Sequence, residues 1–415
     1  METGGSPRPL TRDLSQLSSR EFDLLIIGGG IVGAGIAWDA SLRGLSCVLI
    51  EQSEFASGTS SKTTKLIHGG LRYLEQLDFG LVRESLKERE ILFRIAPRLV
   101  HPLPFLIPVR GRNPRPWPLV KFGIGLYDWL AGAPPEQRHR FLRGEEVGQA
   151  EPVLKEGEAD HAAVYTDGQM DDAGLVLAVL EAAARSGAVL ANQLQVVGWR
   201  LGQGRIQGAE VEDRRKGEKF LIRARQVVNA TGPWADRLRR LADPAATPIV
   251  RPSKGIHLVY PSLGLRHALV FSSERDGRIF FLIPWKGQTL IGTTDTDYEG
   301  DPGKAEATPE EIDYLIEGAN RCLPSLQLRK ERVISTFAGV RPLIASEKKD
   351  PWAISRRHLI HEDPNGLISV VGGKFTTFRK IAEEVVDRLA ARFPGRRLAR
   401  CVTAGQPLEM SGRLK

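Results

Sequence analysis

The chain has 415 residues, more than one hydrophobic core usually serves, so two domains are expected. Its composition is that of a globular enzyme (41% hydrophobic, 26% charged), and three cysteines without a CxxC pair or metal-ligand spacing exclude a disulfide scaffold or zinc site and point to a reducing compartment. The 58 Lys and Arg against 50 Asp and Glu leave +8, spread too evenly for nucleic-acid recognition and suited to an anionic ligand or an acidic membrane surface.

In chain order, residues 1–20 are polar, lack an apolar h-region and read as a flexible tail rather than a signal peptide. No run of about eighteen apolar residues occurs, so no segment is expected to span a bilayer. The run Phe22–Ile27 is short and apolar and ends at a glycine triplet, as a buried parallel strand does. Helical spacing follows over Ile31–Arg43 with Gly44 as a stop, and Ser46–Ile50 is a second apolar strand closed by Glu51. An amphipathic helix is expected over Phe79–Pro97. From there to Gly148 the chain is rich in proline, basic residues and aromatics. A helix is expected over Asp172–Ser186, strands over Ala188–Val228, antiparallel strands over 250–300 and a helix over Pro309–Cys322. A strand at Leu367–Val371 and a helix at Thr377–Arg392 close the pattern.

The motif Gly28-x-Gly30-x-x-Gly33 follows a strand and opens a helix, and Glu51 stands eighteen residues later, placed to accept from a ribose hydroxyl. Gly28 permits a tight turn, Gly30 lets backbone approach a pyrophosphate, and Gly33 lets helix and strand pack closely. The amides of Ile31 and Val32 then face the phosphates at the positive end of the helix. NAD and FAD share this fingerprint. Two further glycine-bearing strand ends, Asn229-Ala230-Thr231-Gly232 and Gly372-Gly373-Lys374, favour the longer FAD.

The run from Thr59 to Leu74, which contains His68-Gly69-Gly70-Leu71-Arg72-Tyr73, resembles the FAD-dependent glycerol-3-phosphate dehydrogenase family. The resemblance extends through Asn229–Trp234, Lys254–His257, Ile283–Trp285, Ile291–Asp295, Gly339–Leu343 and Gly372–Thr377, from Phe22 to about Pro407. Thr63 and Thr64 depart from it, standing where small serines are common. It implies oxidation of glycerol 3-phosphate to dihydroxyacetone phosphate, with electrons passing through FAD to a membrane quinone. The implied place is cytoplasmic, peripheral at the inner face of the cell membrane, with room for a homodimer. The implied fold is α/β: a Rossmann-like FAD-binding domain with a parallel sheet over 21–78, 150–235 and 330–392, and a mainly antiparallel substrate (cap) domain over 79–149 and 236–329. That leaves 393–415 as a C-terminal tail without the helical domain the resemblance implies.

Cofactor contacts implied in the same way are Thr59, Ser60, Ser61, Lys65, Leu66, His68, Gly69, Gly70, Val197, Ala230, Thr231, Gly232, Trp234, Gly339, Gly373, Lys374 and Thr376. A secondary alcohol oxidised by a flavin needs a proton acceptor and, here, cations for a phosphate dianion. Arg72, Arg341 and Arg356 are the candidate phosphate ligands, and Tyr73 a candidate hydrogen-bonding residue. The base is left open among His68, His257 and Lys374, the last also able to stabilise an anionic reduced flavin. Aromatics and arginines between Arg110 and Leu130 suit an interfacial segment. Three alternatives stand beside this reading: a glycerol-3-phosphate oxidase using oxygen, an amine or amino-acid oxidase of the same fold, and a non-catalytic flavin-binding module.

Overall fold

A computed structural model describes residues 14–110, 115–132, 138–273, 275–346 and 356–410, with Arg72 described in its backbone alone. Two sheets organise them. In the first, five strands run parallel in the order Ile368–Gly372, Lys219–Asn229, Glu21–Ile27, Cys47–Ile50 and Val189–Ala191. His358–Glu362 pairs antiparallel at one edge, and the hairpin Leu194–Gly202/Arg205–Asp213 joins the N-terminal half of Lys219–Asn229.

Six of the seven residues of Glu21–Ile27 are buried, because helices cover one face and the hairpin the other. The helix Ile31–Leu42 is buried nearly all round, and its Gly35 lies against Phe378 of the helix Phe378–Ala390. A third helix, Asp172–Arg185, packs beside it and is capped by Asp171, whose carboxylate accepts from the Gly174 amide.

The second sheet is larger and mostly antiparallel. Its long strand Val250–Pro261 lies between Gln288–Gly292 and Ser335–Ile344, and the sheet continues through Ile279–Trp285, Ala268–Ser272, Val100–Val109 and His161–Met170 to the short Leu66–Ile67. The helix Pro309–Cys322, opened by a Thr308/Glu311 capping box, covers one face. The helices Phe79–Ile95 and Trp117–Ala131 cover the other.

Two expectations about boundaries change. His161–Met170 and Ser335–Ile344 fall in the ranges expected for the cofactor domain, but each pairs along its full length with a strand of the second sheet. Hydrogen-bond register, invisible in their composition, puts them there. Within the expected tail, Ser15–Ser19 is a short helix, fastened by Leu17, which is fully buried against the first sheet. Residues 1–13 lie outside the described part. No helix among the described residues is long and apolar enough to cross a membrane.

Candidate active site

The C-terminal ends of the parallel strands face the second sheet across a cavity of about 840 Å³, near the upper end of the ~300–1,000 Å³ usual for ligand sites. Its outer end is built from backbone. Gly28 has φ +115°, and a Cβ there would lie 2.5 Å from the Ala230 carbonyl oxygen. A Cβ on Gly33 would run into the Gly28 carbonyl, so the helix Ile31–Leu42 can approach the strand only with glycine at that position. Gly30, Ile31 and Val32 line the cavity at the helix N-terminus. Ser60 Oγ accepts from the Ile31 amide at 3.0 Å, folding the 59–61 turn over that terminus.

Glu51 sits at the cavity edge. Its carboxylate accepts from the Gly29 amide at 2.8 Å and the Ser53 amide at 2.9 Å, and burial pushes its pKa up against those donors. Two lone pairs on the same carboxylate stay geometrically able to accept hydroxyls. Ala230, Thr231, Gly232 and Trp234 line the cavity beside this loop. A floor that cannot hold a Cβ, a helix N-terminus and an edge carboxylate together fit an extended dinucleotide.

The inner end is built from side chains. Arg341 donates to the Thr294 carbonyl and Asp295 Oδ1, both at 3.2 Å, and to Thr293 Oγ1 at 2.9 Å. Arg356 donates to the other oxygen of the same carboxylate at 2.6 Å. Asp295 also accepts from the Ser253 hydroxyl, and its side chain is only 4% exposed. Both arginines line the cavity. Gly255 makes room for this arrangement, since a Cβ there would strike the Arg341 guanidinium.

On the neighbouring register His257 is fully buried and stacked on Phe337 with ring centroids 4.8 Å apart. Its Nε2 pairs with Thr64 Oγ1 at 3.0 Å, and Nδ1 has no hydrogen-bond partner among the described residues. Burial first, then the charges of Arg341 and Lys65, hold its pKa well below 6.5, so the ring is neutral. Lys374, from the strand-end loop, donates to the His68 and Gly69 carbonyls at 2.7 and 3.0 Å and to Ser85 Oγ at 2.9 Å. The arrangement can therefore hold a dianion between guanidiniums and offers a neutral imidazole within the same cavity.

Of the residues singled out in the sequence, Gly28, Gly30, Ile31, Val32, Glu51, Thr59, Ser60, Leu66, His68, Tyr73 and Ala230–Gly232 all line this cavity. Trp234, His257, Gly339, Arg341, Arg356, Gly373, Lys374 and Thr376 line it too. Others stand behind the wall. Lys65 is spent on an ion pair with Asp172 at 2.8 Å and on the Ser61 carbonyl, which fixes the loop rather than reaching the cavity. Gly69 and Gly70 back onto Tyr127, Tyr73 and Lys374. Val197 is not in the cavity wall, whereas Gln195 and Val196 are, at a place where the strand register shifts between Val196 and Gly198. Arg72 opens the short helix Arg72–Glu75; its side chain lies outside the described residues. Sequence reading missed Asp295 as the anchor of two arginines and Thr64 as the partner of His257. Asp295 ends the Ile291–Asp295 motif, so a pointer existed. Its two partners, 46 and 61 residues away, left none.

The chain matches the family model described as FAD dependent oxidoreductase over residues 23–398. It is 40% identical over 379 residues to the aerobic glycerol-3-phosphate dehydrogenase of Staphylococcus haemolyticus, covering 91% of this chain and 68% of that protein. It is also 40% identical over 414 residues to the glycerol-3-phosphate dehydrogenase of Synechocystis, covering 96% and 75%. The structure of glycerol-3-phosphate dehydrogenase from Bacillus halodurans complexed with FAD superposes with a TM-score of 0.78 at 35% identity, covering 95% of this chain and 69% of that one.

Proposed function

The chain belongs to the FAD-dependent oxidoreductase family, and from that premise we propose that it is a flavoenzyme oxidising glycerol 3-phosphate to dihydroxyacetone phosphate. The observation that carries the substrate is the convergence of Arg341 and Arg356 on one buried carboxylate at the inner end of the cavity. An amino-acid substrate would ask for one guanidinium facing a carboxylate, whereas two forks suit a dianionic phosphate.

FAD, when bound, supplies the hydride acceptor for the C2 hydrogen. Gly28, Gly30 and the N-terminus of Ile31–Leu42 hold its pyrophosphate, and Glu51 its ribose. Arg341 and Arg356, with Arg72, hold the substrate phosphate and so orient C2. His257 is the proton acceptor we favour, because the ring is neutral, enclosed and anchored through Thr64. Lys374, held by the His68 and Gly69 carbonyls, would place its ammonium beside the cofactor and balance negative charge there.

We place the electron acceptor, a quinone, at a membrane surface. The helix Trp117–Ala131 turns Val120, Ile124 and Tyr127 inward while Phe122 and Trp129 are 70% and 76% exposed. Aromatics so placed suit the headgroup region of an anionic bilayer. Flotation with anionic vesicles should carry the protein upward, and Phe122→Ser with Trp129→Ser should leave it at the bottom. Equal flotation of both forms would sink the membrane reading.

The direct test of function is anaerobic addition of glycerol 3-phosphate to the yellow holoprotein. Bleaching of the flavin band is expected; no bleaching with glycerol 3-phosphate, together with bleaching by an amino acid, overturns the assignment. Reoxidation by a quinone analogue and not by oxygen is the expected acceptor preference.

A further inference from the structure

One peptide group beside the cavity is gripped on both edges. The His68–Gly69 amide presents its carbonyl to Lys374 Nζ at 2.7 Å and to Thr376 Oγ1 at 3.4 Å. Its N–H, on the opposite edge, donates to the Tyr127 hydroxyl at 2.8 Å and, at the longer distance of 3.4 Å, to Asp167 Oδ1. Tyr127 comes from Trp117–Ala131, a helix that otherwise lies on the outside of the second sheet. Its own proton goes to Asp167 Oδ2 at 2.7 Å, and the other oxygen of Asp167 is paired with Arg89 at 2.6 Å. Tyr127, Asp167 and Arg89 are all buried: 1%, 2% and 6% exposed.

A hydroxyl placed between an amide donor and a carboxylate acceptor has one orientation available, donating to Asp167 and accepting from Gly69. The phenol does not ionise in working conditions: burial and the Asp167 charge push its pKa well above 10. The fit around the hydroxyl is close, since a Cβ on Gly69 would strike both the Tyr127 oxygen and Leu86. A buried ion pair of this kind is weak support for stability, yet a fully satisfied one fixes geometry. What it fixes here is the plane of the peptide that anchors Lys374.

We propose that Tyr127, oriented by the Asp167–Arg89 pair, is a positioning residue that sets the His68–Gly69 peptide and through it the place of the Lys374 ammonium at the reaction centre. This rests on the reading of the cavity as the flavin and substrate site. Tyr127 does not line the cavity; its action is on the hydrogen-bond donor and acceptor directions of one peptide.

Tyr127→Phe removes only the hydroxyl and keeps the ring in its cluster with Leu86, Ile124 and the edge-on Tyr165. The holoprotein of this variant should load FAD and melt close to wild type. Its kcat with glycerol 3-phosphate should fall about 10- to 100-fold, the loss typical of small misplacement of a reacting group, with KM little changed and the pH profile of kcat displaced. Gly69→Ala, which evicts the same hydroxyl from the other side, should reproduce the displaced profile. Hydrogen exchange read at the 66–70 segment of the wild-type holoprotein gives a substrate-independent measure: the Gly69 amide should be slow to exchange, and faster in Tyr127→Phe, where only the longer contact to Asp167 is left to it. Unchanged kcat and pH profile in a folded, yellow Tyr127→Phe protein would overturn the proposal. So would fast exchange of Gly69 in the wild type. If glycerol 3-phosphate fails to reduce the wild type, the substrate reading falls while the exchange comparison still decides the role of Tyr127.

Discussion

The two ends of the cavity are made of different material. The outer end is backbone: Gly28, Gly30, Gly33 and the first turn of one helix lie within seven residues of sequence. The inner end is side chains from separated segments: Arg341 and Arg356 share the carboxylate of Asp295, Lys374 is held by two carbonyls and Ser85, and behind the wall Lys65 is paired with Asp172 and Arg89 with Asp167. At the outer end the requirement is steric, that nothing occupy a Cβ position. At the inner end it is electrostatic, and removing one member strands a partner. Failures at the two ends should therefore differ in kind: loss of cofactor at one, loss of substrate handling with cofactor retained at the other.

The sharpest break of that contrast comes from Gly30→Val. Gly30 has φ −83° and ψ −177°, which valine adopts readily, so the fold should survive. The added bulk enters the cavity at the helix N-terminus, and the purified protein should be colourless, with FAD affinity down by at least ~10²-fold, the order expected for an overpacked close contact. A yellow variant with wild-type flavin absorbance would break the steric account.

Arg341→Ala should do the reverse, keeping the flavin and losing substrate. A charge-assisted contact is worth roughly 1.5–3 kcal/mol, so kcat/KM for glycerol 3-phosphate should fall on the order of 10²-fold. Steady-state kinetics beside the flavin spectrum would separate the two ends. A colourless Arg341→Ala protein would mean the ends are not independent.

Asp295→Asn is a smaller cut in the same region. It keeps the shape between the two guanidiniums but removes the charge that draws them together, so KM should rise about tenfold, one charge-assisted hydrogen bond's worth, with kcat less affected. A fall in kcat at constant KM would place Asp295 in the chemical step instead.

The smallest effect is a pH dependence. In the folded protein His257 is held neutral well below its ordinary 6.5, by burial first and then by Arg341 and Lys65. Below about 6.5 the unfolded chain takes up a proton there that the folded chain does not, so this residue lowers stability as pH falls and contributes no slope above that value. His257→Gln removes that term. Urea unfolding at pH 7.5, 6.5 and 5.5 should show wild type losing more stability than the variant on acidification. Parallel curves would mean that the ring is charged in the fold.

The outer end was legible because its physics is local. A strand, three glycines at fixed spacing and an acid eighteen residues on specify a turn, a close approach and a helix terminus whatever the rest of the chain does. The helix Pro309–Cys322 was readable to the residue for the same reason: Thr308, Pro309 and Glu311 cap it locally. The resemblance of the loop around His68–Tyr73 brought the inner residues into view by position. It did not say which of them face the cavity: Lys65 turned inward to Asp172.

By itself, then, the sequence determined a dinucleotide-binding α/β fold, the family, and the set of residues from which the site is drawn. Tertiary structure decided the membership of the strands His161–Met170 and Ser335–Ile344, the shared carboxylate of Asp295, and the grip of Tyr127 on the His68–Gly69 peptide. These depend on strand register and on charges 46 to 61 residues apart meeting in a medium of low polarity. No local pattern encodes such meetings, because a buried charge is tolerated only where the completed fold supplies its partner.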